Sequence, residues 1–82
     1  MKLEIHDYIC KIGEWGAMVV GIYKKPWTTT QFMYQVGFFN LRGNDWSPNE
    51  AYRRYFKEYP TEEQALNYMI KLKEQWNNGD IK

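Results

Sequence analysis

Hydrophobic residues recur at every second position along the first half of the chain and at three- and four-residue spacing along the second. That pattern predicts sheet followed by helix. From Lys2 to Ile12 the alternation changes phase: Leu3 and Ile5 share one face, and Tyr8, Cys10 and Ile12 share the other. A bulge near His6-Asp7 reconciles the two. Gly13-Glu14-Trp15-Gly16 suits a reversal between antiparallel strands. Ala17 to Lys25 comes next, and its run of Val19, Val20, Ile22 and Tyr23 predicts a central strand covered on much of both faces. Pro26 to Thr30 reads as a loop. Gln31 to Arg42 is the longest strand, with Phe32, Tyr34, Val36, Phe38 and Asn40 on the better core face and Met33, Gln35, Gly37, Phe39 and Leu41 opposite. Gly43-Asn44-Asp45 closes it as a turn.

The remainder, Trp46 to Asn78, carries two helix start signals. Ser47-Pro48-Asn49-Glu50 offers a hydroxyl N-cap, proline at the first helical position and a carboxylate able to reach back to the cap. Thr61-Glu62-Glu63-Gln64 repeats the device. Between them Pro60 cannot continue a helix and pushes Tyr59 toward extended backbone, so two helices meet at a corner. In the first, Ala51, Tyr52, Tyr55, Phe56 and Tyr59 form an apolar stripe opposite Arg53, Arg54, Lys57 and Glu58. In the second, Ala65, Leu66, Met69, Leu72 and Trp76 form the buried centre, with Tyr68 and Ile70 at the margins. Asn67, Lys71 and Glu74 face water, and Gly79 is the stop. The expected architecture is α+β: a three-stranded antiparallel sheet followed by two C-terminal helices packed on one face, in one domain spanning residues 1–82. The stretch YRRYFKEYPTEEQAL resembles the final strand and helix of the small three-stranded arm-binding domains of tyrosine recombinases. That resemblance implies a strand over 52–59, whereas the periodicity favours a helix because a strand would mix charge with apolar surface on one face. No functional residue is carried over from it.

A chain of 82 residues buries only about 60–65% of the surface its unfolded form exposes, so its core needs large side chains. The 4 Trp, 7 Tyr and 4 Phe supply them and exceed what such a core hides, which leaves rings at the surface. Eleven Lys and Arg against ten Asp and Glu give a net charge of +1, which removes the long-range pull on phosphate typical of duplex-DNA binders. Cys10 is the only cysteine, so no internal disulfide forms, and a reducing, cytoplasmic compartment is expected. Charges at positions 2, 4 and 7 and the lack of any 18-residue apolar window argue against a signal peptide and a membrane span.

Candidate chemistry is sparse. His6 and Cys10 on one strand lie about 13 Å apart, too far for one ion or one catalytic pair. Glu62 and Glu63 complement a helix dipole. Gly16 and Gly21 have P-loop spacing, but Ile22 and Tyr23 stand where that motif requires Lys and Ser or Thr. No cofactor, metal site or enzymatic activity is expected. Two groups stand out. Arg53, Arg54 and Lys57 crowd one exposed helix face beside tyrosines, and Lys24, Lys25 and Trp27 form a second basic and aromatic group. In KKPWTTTQ the tryptophan has little local apolar cover, so it is either an exposed anchor or folded back onto the sheet.

Tyr, Trp and Arg are the side chains that most often anchor interfaces, and the chain offers surface rings without catalytic groups. The expected function is a non-enzymatic protein-binding module of inhibitor or adaptor type, a class that phages and mobile elements often encode. Its partner-binding residues are Lys24, Lys25, Trp27, Arg53, Arg54 and Lys57. The alternative is a nucleic-acid-binding domain using the same two groups.

Overall fold

The computed structural model describes residues 2–11, 13, 16–42 and 45–81. The expected turn residues Glu14, Trp15, Gly43 and Asn44, and the strand residue Ile12, lie outside the described residues. The chain is α+β, with five strands in one antiparallel sheet and one α-helix among the described residues: β1 (Ile5–Lys11), β2 (Ala17–Pro26), β3 (Phe32–Arg42), β4 (Asp45–Pro48), a 3-10 helix (Glu50–Tyr55), β5 (Lys57–Tyr59) and α1 (Glu62–Asn77). The strands run in the order β1-β2-β3-β4, and β5 also pairs with β3. β4 and β5 share one edge of β3: β4 pairs with residues 39–42 and β5 with residues 34–36.

The expected sheet has three strands; of the two additional ones, β4 takes Asp45 from the expected turn and Ser47 and Pro48 from the expected helix start, and β5 comes from the end of the stretch that reads as the first helix. Ser47 and Pro48 do not start a helix. They belong to β4, where Ser47 lies opposite Asn40 and Pro48 opposite Phe39 on an outer strand, a place that tolerates a missing N–H. The cap is Asn49, whose Oδ1 accepts the Ala51 N–H at 3.0 Å. It opens a kinked 3-10 helix, with Tyr52 at φ −115°, ψ 23°. This helix ends where Phe56 turns to extended backbone at φ −71°, ψ 130°.

The cause is packing on two faces. Tyr52 and Tyr55 turn toward Phe38, with ring centroids 5.2 and 6.0 Å away. Phe56 instead lies on the opposite face against Phe39, at 5.3 Å. A continuous helix would hold all three rings on one side. The recombinase-like reading of a strand across 52–59 holds only for its end, Lys57–Tyr59.

The expected bulge also moves, from His6-Asp7 to the step between Tyr8 and Cys10. Leu3, which precedes β1, and Ile5 pack against different clusters, on opposite faces of the sheet.

The core is double. Met18, Val20, Ile22, Val36 and Phe38 face α1, whose Ala65, Met69 and Leu72 are buried against them together with Ile81. On the other face Leu3, Val19 and Phe39 are buried, with Tyr23, Trp46 and Phe56 packed around them. β2 is therefore covered on both sides, as its β-branched run predicts.

Gly21 and Gly37 stand side by side across β2 and β3. A Cβ on Gly37 would fall 2.6 Å from the Phe56 ring, and one on Gly21 would fall 2.6 Å from Leu3 Cδ1. The paired glycines form the seat on which those two side chains lie flat.

α1 behaves as its signals predict. Thr61 Oγ1 accepts the Gln64 N–H at 3.3 Å. At the other end Gly79 takes φ +79°, and the N–H groups of Gly79 and Asp80 return to the carbonyls of Trp76 and Gln75. Asn67, Lys71 and Glu74 are exposed, and so is Ile70. No helix among the described residues is long and apolar enough to cross a membrane.

Candidate functional site

The β2–β3 hairpin outruns its neighbours. β1 begins with Ile5 opposite Ile22, so Tyr23 to Pro26 have a strand partner only in β3. β5 ends with Tyr59 opposite Tyr34, so Phe32 and Met33 stand clear on their outer edge. The loop at the end is closed by its own residues. Trp27 and Thr28 donate their N–H groups to the Gln31 carbonyl at 3.0 and 3.2 Å. Thr28 Oγ1 accepts the N–H groups of Thr30 and Gln31 at 3.3 and 3.0 Å. The run of threonines thus has a local role, because a hydroxyl satisfies loop N–H groups that no strand reaches.

This closed loop displays apolar surface. Trp27 is 61% exposed and Phe32 42%. Trp27, Gln31, Phe32, Met33 and Pro60 line a concavity of about 340 Å³. Lys24 Nζ sits 4.5 Å from the Phe32 ring centroid, a cation–π contact. Lys25 pairs with Glu58 of β5 at 3.1 Å, bracing the base of the projection. Trp27 is therefore exposed and not folded back onto the sheet. Phe32, Met33 and Pro60 complete the site, although alternation alone puts Phe32 on the core face and marks none of the three for binding. The sequence carries no signal for this, since the first strand pattern, Lys2 to Ile12, is as long as the others; only in the structure do β2 and β3, of 10 and 11 residues, outrun the 7-residue β1 and leave one end of the hairpin free.

The second group does not assemble as expected. Because the segment is a 3-10 helix followed by a strand, Arg53, Arg54 and Lys57 do not share one helical face. Arg53 lies 3.9 Å from Glu50 and, with Gln35 and Phe56, lines a notch on the sheet face away from α1. Arg54 stacks over Tyr55 at 4.9 Å and donates to its hydroxyl at 3.4 Å. Lys57 lies over Tyr68 on the α1 side, 4.9 Å from the ring.

Tyr68 in turn donates its hydroxyl to the Tyr55 carbonyl at 2.7 Å. Burial, and secondarily the neighbouring Tyr59 and Tyr55, push its phenol above the ordinary range, which keeps it a proton donor. The lone His6 is exposed and packs its ring on Trp46 at 4.7 Å. Among the described residues no group of three His, Cys, Asp or Glu comes together to hold a metal ion.

No protein-family model matches the chain, and neither does any curated protein or solved structure.

Proposed function

We propose that the chain is a non-enzymatic protein-binding module that offers the end of the β2–β3 hairpin to another polypeptide, in the manner of a small inhibitor or adaptor. The observation that carries this reading is Trp27, a large ring 61% exposed on a loop already ordered by Thr28. An anchor held in place before binding loses less conformational entropy on association, so more of its burial appears as affinity. Phe32, Met33 and Pro60 give the partner an apolar recess beside it.

The nucleic-acid alternative is less well supported. A phosphate track needs neighbouring free cations. Here Arg53 and Lys25 face Glu50 and Glu58, and the basic residues are split between the two faces.

The test is capture of the partner from a lysate of the source cell with and without nuclease, followed by titration with two variants. Trp27→Ala should weaken binding at least about thirtyfold, as loss of an anchor costing about 2 kcal/mol or more does. Neutralising Arg53, Arg54 and Lys57 together should do less. Binding that vanishes on nuclease treatment and with the triple variant, but survives Trp27→Ala, overturns the reading.

A further inference from the structure

The edge of a sheet offers unpaired N–H and C=O groups to any passing strand, and folded chains guard it with bulges, charge, proline and short strands. Most edges of this sheet are guarded. β1 is bulged between Tyr8 and Cys10, and across it Lys73 of α1 reaches Asp7, whose carboxylate also accepts the Tyr8 N–H. β4 has four residues and ends in Pro48. β5 has three, and Pro60 follows it. On the projecting hairpin, the free side of β2 carries Lys24 and ends in Pro26, which has no N–H to give.

The outer edge of β3 at that end carries no such device among the described residues. Trp27 donates to Gln31 across the hairpin, so in the alternation of an antiparallel pair the next bonded pair is Lys25 with Met33, and Phe32 between them turns its N–H and C=O away from β2. Phe38 has the same phase, since its C=O accepts the Asn49 N–H on the outer side. β5 follows β3 as far as Tyr59 opposite Tyr34. Two residues further Thr61 would face Phe32, but it caps α1 instead, with its Oγ1 on the Gln64 N–H and its C=O on the Ala65 N–H. The recess of about 340 Å³ between Pro60 and the loop therefore lies along Phe32 and Met33, in line with the end of β5.

We infer that the partner fills this place with an extended segment added to the outer edge of β3 in line with β5: one of its residues exchanges two backbone hydrogen bonds with Phe32, and an apolar side chain beside it enters the recess against Trp27. The inference rests on the hairpin reading above and specifies its partner as an extended, apolar stretch of polypeptide without proline at the contact point. An exposed ring alone accepts any apolar surface. A strand's N–H and C=O side by side are matched by the C=O and N–H of another strand, the recognition mode in which main-chain bonds set the register and pockets for alternate side chains set specificity. Side chains flanking the residue opposite Phe32 fall on the face of Met33, and its own falls on the face of Phe32, where Lys24 already lies over the ring. With one residue pair in the ladder, Trp27 and the recess supply most of the affinity and the ladder supplies direction.

Short linear peptides from a random displayed library, selected on the wild-type chain and counter-selected on Trp27→Ala, are the probe. A selected peptide should slow hydrogen exchange of the Phe32 amide at least about tenfold and leave the Lys24 amide, on the opposite edge of the hairpin, unchanged. Methylating the peptide's backbone nitrogens one at a time should reveal a position where affinity falls at least about tenfold with every side chain kept. Replacing Phe32 by its α-hydroxy acid removes only an N–H that no strand of the chain uses, and should weaken the peptide by a similar factor. The exchange measurement needs no variant to fold. Trp27-dependent peptides that leave the Phe32 amide unprotected and tolerate methylation at every nitrogen overturn strand addition while the hairpin reading stands. A library that yields no Trp27-dependent peptide overturns it as well, and a captured partner that still needs Trp27 then keeps the hairpin reading separate. A Phe32 amide already protected in a free chain of twice the 10.0 kDa mass also overturns it, because a second copy then holds the edge.

Discussion

Two stretches of this chain carry the same helix start signal and fold differently. Ser47-Pro48-Asn49-Glu50 leads into a strand end and a kinked 3-10 helix of six residues, whereas Thr61-Glu62-Glu63-Gln64 leads into an α-helix of sixteen. The difference lies downstream of the cap. After Thr61, Ala65, Met69 and Leu72 recur at three and four residues and all meet one surface, the α1 side of the sheet. After Asn49, Tyr52 and Tyr55 seek that same surface but Phe56 is drawn to the other, onto the Gly37 seat beside Phe39. A short helix gains little from propensity alone, so the demand of two separate faces breaks it. A cap permits a helix, and a single destination for its side chains sustains one.

The largest expected effect tests the sustained helix. Leu72 is fully buried between α1 and the sheet, and Leu72→Ala should cost about 2–5 kcal/mol, a large share of what a domain this small has to lose. Urea denaturation measures it, and an unshifted midpoint would mean that α1 does not bury that face. Next is the interrupted stretch. Gly37→Ala drives a methyl into the Phe56 ring, which Phe39 holds from the side, so a loss of about 1–3 kcal/mol is expected. Adding Phe56→Leu should recover part of that loss, because a smaller side chain vacates the seat. Full additivity of the two changes would show that Phe56 does not rest on Gly37.

The same contrast marks how far the fold is legible in the sequence. α1 and its buried Ala65, Met69 and Leu72 follow from periodicity, its cap and Gly79 stop from the capping residues, and the doubly covered β2 from its β-branched run, because each of those patterns points to one answer. The segment 47–59 is ambiguous because Tyr52, Tyr55 and Phe56 obey helical spacing whether or not they share a destination. Gly37, on another strand and beyond the reach of any local rule, decides where Phe56 goes. At the site, Trp27 is visible as a ring without local cover. The recess beside it is not, since Pro60 reaches it only through the pairing of β5 with β3.

Smaller effects separate the two caps. Thr61→Ala should cost about 1 kcal/mol, because the Gln64 N–H loses its acceptor at the start of a long helix. Asn49→Ala should cost a similar amount, since its side chain also donates to Asn40 at 3.2 Å. Ser47→Ala, at an exposed strand position, should change stability by no more than about 0.5 kcal/mol. A cost at Ser47 equal to that at Thr61 would restore the helix reading of this stretch, as would helical chemical shifts from Glu50 to Tyr59.

The smallest effect concerns the ion pairs that accompany the two stretches. Glu50 and Arg53 are both largely solvated and 3.9 Å apart, so Glu50→Gln should leave stability unchanged. Lys73 of α1 instead reaches across to Asp7 of β1 and donates to its carboxylate. That hydrogen bond, helped by the Lys73 charge and the Tyr8 N–H, holds the Asp7 carboxyl below its ordinary value against the opposing effect of burial. A carboxyl whose pKa is depressed in the folded state binds its proton more readily when unfolded. The pair's contribution is therefore present above the ordinary carboxylate pKa and is lost as pH falls through the lowered one. Both side chains remain partly exposed, so the contribution is under about 1 kcal/mol and shrinks with added salt. Asp7→Asn should accordingly be slightly less stable than the wild type at neutral pH. Denaturation midpoints of the two proteins should converge below the carboxylate range. A deficit that persists unchanged at low pH would assign Asp7 a packing role, and α1 would then be held to β1 by contact alone.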